Sequence, residues 1–132
     1  MEPRRRKLVI ADDSPEMRWF VRSAIGAEFR EVVEAANGRE LLWTLLRSQF
    51  AAKDLDHRDL VITDLCMPAY DGLEVLDAWG DRKHSVPTIL ITAFPSEDIR
   101  QRAKALNVIV LAKPFSRAAL RQALDETTRD PR

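Results

Sequence analysis

A chain of 132 residues that is 45% hydrophobic and 32% charged fits one globular domain and lies far from the polar, charge-skewed compositions that stay disordered. Its 21 basic residues balance its 21 acidic ones, which leaves no electrostatic footprint for nucleic acid. One cysteine, Cys66, and the widely spaced His57 and His84 give neither an internal disulfide nor a zinc-ligand spacing, and no apolar run approaches the ~20 residues of a membrane span; a cytoplasmic protein with no membrane partner is expected.

The run Arg4-Arg5-Arg6-Lys7 reads as part of a solvated leader over residues 1–6. Lys7 to Ala11 is an apolar run without helical spacing, the mark of a strand buried on both faces, and it ends at Asp12-Asp13. Ser14 then caps a helix with Pro15 at its first position, and Met17, Phe20, Val21, Ala24 and Ile25 form its apolar stripe as far as about Glu28. Arg30 to Ala35 is a weaker strand; after Asn37-Gly38, residues Arg39 to Arg47 place Leu41, Leu42, Leu45 and Leu46 on one helical face. Lys53 to Arg58 is a polar loop, and Leu60 to Thr63 leads as a third strand into Asp64. A turn at Asp71-Gly72 precedes a short helix from Leu73 to Trp79, and Pro87 sets off the strand Thr88 to Thr92. Ser96 caps a helix carrying Ile99, Ala103 and Leu106, Val108 to Ala112 is the fifth strand, and Ser116 caps a last helix to about Thr128. The domain is expected over residues 7–128, with a tail at 129–132.

Five apolar strands alternating with amphipathic helices predict a three-layer α/β sandwich, because each right-handed crossover lays a helix over a parallel sheet. Ligands bind such sheets at the carboxyl ends of the strands. That rim collects Asp12-Asp13, Asp64, Thr92 and Lys113-Pro114. Crowded carboxylates repel one another, and a hard divalent cation offsets the repulsion. Magnesium fits best, with manganese as a substitute, since it takes one or two carboxylates and keeps an open side for a phosphate oxygen. Cation, ammonium and hydroxyl around one carboxylate suit phosphoryl transfer, in which positioning and charge neutralisation dominate and the carboxylate is the nucleophile.

The segments VIADDSPEMR, ITDLCMPAYDGLEVL, ILITA and VLAKPF, in this order and spacing, resemble the receiver domain of two-component response regulators. The resemblance implies a flavodoxin-like (βα)5 fold with strand order 2-1-3-4-5, and it covers about Lys7 to Thr128. It makes Asp64 the acceptor of a phosphoryl group from a sensor histidine kinase or phosphotransfer protein. It has Asp13 and Asp64 hold magnesium directly, Asp12 mainly through water, and the Cys66 backbone carbonyl supply a further oxygen. Lys113 pairs with a phosphoryl oxygen, Thr92 moves to hydrogen-bond another, and a cis bond to Pro114 aims the lysine. The family couples Thr92 to an aromatic residue three places before the lysine; here that place holds Val110, so output through the face built by the fourth helix, last strand and last helix departs from the pattern. Phe94 and Cys66, each two residues beyond a site residue, occupy positions that in this family border the path of hydrolytic water, and the bulk of Phe94 predicts slow self-dephosphorylation.

The expected function is a stand-alone receiver, a monomer or weak dimer, that assists its own phosphorylation and dephosphorylation without being an enzyme and signals to a downstream protein. Two rivals stay open. One is a phosphorylation-independent scaffold; the other is a magnesium-dependent phosphohydrolase with an aspartate nucleophile, disfavoured because Cys66 stands where such enzymes carry a second acid. A redox role for Cys66 is disfavoured by its acidic surroundings. Trp19 and Trp43 are expected to pack beneath neighbouring loops rather than mark a partner surface, Arg100, Arg102 and Lys104 to form a solvated helix face, and His57 and His84 to sit in loops.

Overall fold

A computed structural model describes residues 5–50, 55–80 and 86–127; His84, residues 1–4 of the expected leader, Lys53 and Asp54 of the expected loop, and everything after Thr127 lie outside the described residues. The elements in chain order are β1 (Arg5–Ala11), α1 (Pro15–Ile25), a 3-10 turn (Gly26–Glu28), β2 (Phe29–Ala35), α2 (Gly38–Phe50), β3 (Leu60–Asp64), α3 (Gly72–Trp79), β4 (Thr88–Thr92), α4 (Glu97–Ala105), β5 (Ile109–Ala112) and α5 (Arg117–Thr127). All neighbouring strands pair parallel, in the order β2-β1-β3-β4-β5. The expected architecture is therefore present, and reversal of winding at β1 and β3 opens a crevice between their carboxyl ends.

Alternation along the strands divides the core into two. Leu8, Ile10, Leu60, Ile62, Ile89 and Ile91 point to one face, where Val21 and Ile25 of α1 and Leu120 and Leu124 of α5 cover them. Val9, Ala11, Val61 and Leu90 point to the other, beneath Leu41 and Leu45 of α2, Leu76 and Trp79 of α3, and Ala103 of α4. Burying one such aliphatic side chain contributes about 1.5–3 kcal/mol. The helices start where their sequences dictate: the Ser14, Ser96 and Ser116 hydroxyls accept the N–H groups of Met17, Ile99 and Ala119 at 3.2, 3.2 and 3.0 Å.

Several expectations need correction. β1 opens at Arg5, so Arg5 and Arg6 belong to the sheet and not to a solvated leader. The cause is Asp59, a fully buried carboxylate that accepts from Arg6 Nε at 3.3 Å and Nη2 at 3.0 Å, from the Lys7 N–H at 3.0 Å and from the Asp56 N–H at 2.8 Å. A partner 53 residues away thus draws the basic run into the fold. α2 continues to Phe50, beyond the expected end at Arg47. Asp71-Gly72 is not a free turn: Asp71 and Glu74 form a reciprocal capping box and Gly72 begins α3. Trp19 and Trp43 do not pack beneath loops; they are 67% and 65% exposed. Arg100, Arg102 and Lys104 are exposed as expected, and so is His57.

Candidate functional site

Two strands, β1 and β3, deliver the acidic residues of the rim. β1 ends at Ala11, and the Asp12 N–H is held by the Ala35 carbonyl at 3.0 Å. Asp64 is the last residue of β3, locked in register opposite Ile91. Carboxylate oxygens of Asp12, Asp13 and Asp64 lie within 4.8 Å of one another; Asp12 and Asp64 are buried and Asp13 is exposed. The Asp64 side chain keeps 8% of its surface open, a narrow approach.

Lys113 reaches this cluster from the end of β5, with Nζ 3.1 Å from Asp64 Oδ1 and 3.6 Å from Asp12 Oδ2. Its N–H donates to the Thr92 carbonyl at 2.8 Å, which fixes its backbone to β4, and the following bond to Pro114 is cis. Thr92 is buried at the end of β4, its hydroxyl accepting the Phe94 N–H at 3.2 Å. All five expected polar side chains, Asp12, Asp13, Asp64, Thr92 and Lys113, therefore stand at the carboxyl ends of their strands.

Burial raises the pKa of Asp12, and the hydrogen bond from the Ser14 N–H and the charge of Lys113 only partly counter it. Burial likewise raises Asp64, reinforced by the charge of Asp12 and opposed by Lys113. Burial works against the charge of Lys113, but Asp64 and Asp12 prevail and its pKa is raised overall. One oxygen of Asp12 accepts the Ser14 N–H at 2.9 Å, while Oδ2 is buried with no hydrogen-bond donor among the described residues; the lysine at 3.6 Å is an ionic contact, beyond hydrogen-bond range. An orphaned anionic oxygen beside two further carboxylates is the donor set of a hard divalent cation. The residues present fit such an ion.

Two glycines hold the loop after β3, a role the sequence reading missed. A Cβ on Gly72 would lie 2.6 Å from the Asp64 carbonyl oxygen, and one on Gly38 would lie 2.0 Å from that of Tyr70. Both close approaches demand glycine. The Gly72 N–H donates to Leu65 O at 2.8 Å and the Gly38 N–H to Pro68 O at 3.0 Å, so the heads of α2 and α3 clamp the loop that carries Cys66. The Asn37-Gly38 and Asp71-Gly72 pairs were visible as breakers, but close packing across the chain was not. Cys66 is exposed beside the acidic cluster's strand end, and Phe94 is 84% exposed. Val110 does not join the cluster; it packs against the core on the α2–α4 side and lines a cavity of about 320 Å³ with Arg100, Lys104 and Glu126.

The model of the response regulator receiver domain family matches residues 8–125. The sporulation initiation phosphotransferase F of Bacillus subtilis is 28% identical over 89% of this chain and 90% of its own length. The transcriptional regulatory protein PdtaR of Mycobacterium tuberculosis is 30% identical over 91% of this chain, which spans only 55% of that relative. Among solved structures, the chemotaxis protein CheY4 of Vibrio cholerae superposes with a TM-score of 0.72 at 30% identity, covering 92% of this chain and 97% of that one. Among the described residues no helix is long and apolar enough to cross a membrane.

Proposed function

The chain belongs to the response regulator receiver family, and on that premise we propose that it accepts a phosphoryl group on Asp64 from the phosphohistidine of a sensor kinase or phosphotransfer protein. The observation that carries this reading is the Lys113 ammonium 3.1 Å from Asp64 within a cluster of three carboxylates on the sheet's carboxyl rim. An Asp64 oxygen forms the new P–O bond as the donor's P–N bond breaks, and the imidazole departs as the leaving group. Lys113 neutralises charge on the transferred group, and the Thr92 hydroxyl, which accepts the Phe94 N–H, turns to donate to it. Asp13 and Asp64 would hold magnesium directly, Asp12 mainly through water, and the Cys66 carbonyl would add an oxygen; once bound, the ion would supply neutralisation of negative charge at the site.

A protein donor matches the surroundings of the site. Pro15, Glu16, Trp19 and Phe20 of α1 line an open groove of about 490 Å³ immediately after Asp12-Asp13, and Phe20 stacks edge-on against Phe115, two residues past Lys113, at 5.7 Å. An exposed indole on an apolar groove is a surface that a protein covers. Output then passes to a downstream protein.

Intact mass measured after incubation with acetyl phosphate and magnesium tests the proposal. A single phosphoryl adduct is expected, absent in Asp64→Asn and in the presence of a chelator. Continuous phosphate release would identify a phosphohydrolase instead, and a protein that takes no phosphoryl group would be a scaffold.

A further inference from the structure

The outer face of α2 and α3 is the least explained surface of the molecule. On α2, Arg39, Trp43 and Arg47 are spaced one turn apart and are all exposed, so they form one column along the helix. Among the described residues neither guanidinium has an ion-pair partner and neither stacks on the indole. The nearest acid on that column, Glu40, accepts the Ala36 N–H at 2.7 Å and is thereby engaged at the helix start. The neighbouring helix has the opposite sign. On α3, Glu74 and Asp77 are exposed, with small Ala78 beside them. Tyr70, also exposed, sits at the head of both helices against Gly38.

We propose that this face is the interface of a two-fold symmetric homodimer, in which the Arg39–Trp43–Arg47 column of one copy packs on the Glu74–Asp77 face of the other. Two-fold symmetry makes every such contact occur twice, so a surface is self-complementary only if it carries both partners of each contact. The α2–α3 face meets that condition, with unpaired cations on one helix, acids on the next, and a large aromatic on the first opposite a small residue on the second. The indole supplies the anchor. Exposed tryptophan and arginine are the residues that most often dominate an interface, and solvent-exposed charges around them set register and orientation more than strength. With one large anchor and a polar surround, association is weak and salt-sensitive. The proposal does not rest on phosphoryl chemistry at Asp64, which lies on the rim, and it holds whether or not that residue is modified.

Sedimentation equilibrium of the full chain between about 1 μM and about 1 mM, a range that reads weak association, tests it. A monomer–dimer equilibrium is expected, weakened by raised salt and by Trp43→Ala by at least ~10-fold, the loss of a hot-spot side chain. Circular dichroism checks that the variants remain folded. Symmetry supplies a sharper test. A variant with Arg39→Glu and Arg47→Glu, and another with Glu74→Gln and Asp77→Lys, which keeps a side-chain acceptor for the cap, should each be monomeric alone. Mixed in equal amounts they should associate, because both crossed contacts then join opposite charges. A wild type that stays monomeric throughout overturns the proposal, as does a dimer indifferent to Trp43→Ala or a mixture that fails to associate.

Discussion

Neutralising Asp12 should make the metal-free protein more stable while weakening its response to magnesium. Asp12 is buried, its Oδ2 has no hydrogen-bond donor among the described residues, and its neighbours are two other carboxylates with one ammonium at 3.6 Å. A buried polar atom left unsatisfied costs about 1–3 kcal/mol. The ionic contact with Lys113 offsets part of that, leaving about 1–2 kcal/mol to be recovered by Asp12→Asn. The amide oxygen can keep the bond from the Ser14 N–H, now 2.9 Å, and its NH2 can donate toward Asp64. With a urea dependence of about 1–3 kcal/mol per molar, the unfolding midpoint in chelator should rise by about 0.3–2 M. At a magnesium concentration about 100 times its dissociation constant, the wild type gains about 2.7 kcal/mol, so the order of stability should reverse. pH supplies a check on sign. Because burial raises the folded Asp12 pKa above its ordinary value of 3.8, the folded state binds the proton more tightly, and the wild type loses stability as pH rises from that value through the folded one. The difference between the two proteins in chelator should therefore be largest near neutrality and shrink toward acid. A variant no more stable than the wild type in chelator at neutral pH would refute the reasoning.

Four further outcomes are expected. Asp59→Ala removes two hydrogen bonds from the Arg6 guanidinium, which keeps its 3.8 Å contact with Asp56, and takes the acceptor from the Lys7 and Asp56 N–H groups; it should cost about 2–4 kcal/mol in urea or thermal unfolding, and a loss below about 1 kcal/mol would show that the buried carboxylate is dispensable. Gly38→Ala places a methyl 2.0 Å from the Tyr70 carbonyl oxygen and should cost about 1–3 kcal/mol while slowing phosphorylation measured by intact mass, since the displaced loop carries Cys66. Glu34 accepts from Arg22 at 2.7 Å and Arg18 at 2.9 Å, and chiefly the Arg22 bond holds its pKa below 4.5. Its contribution is full above pH 4.5 and lost as pH falls through the lower folded value, so unfolding curves of Glu34→Gln and wild type should converge only in acid. Phe94→Ala should shorten the lifetime of the phosphoryl adduct, read by its decay after the donor is removed; an unchanged lifetime removes the ring from any shielding role.

The strands were legible because burial on both faces leaves unbroken apolar runs, as in LVIT and TILIT, and the helices because serine caps precede apolar stripes. The site was legible because acids that end separate strands of a parallel sheet can only meet at one rim. Contacts between distant segments were not. Nothing near Arg6 announces Asp59, and nothing near Gly38 announces Tyr70, since each partner is chosen by packing after the sheet has formed. The two tryptophans show a different limit. Their places off the apolar stripes pointed to solvent, their size pointed to burial, and the helix geometry prevailed.

Asp64 is held on two sides at once. Its carbonyl oxygen accepts the Thr63 hydroxyl at 2.9 Å and backs onto Gly72 with no room for another atom, while its carboxylate faces outward to Lys113. A residue wedged in this way can change its charge without changing its position. On the proposed reading, a phosphoryl group on Asp64 is felt through whatever around it is free to shift, with the wedged aspartate as the anvil against which those neighbours move.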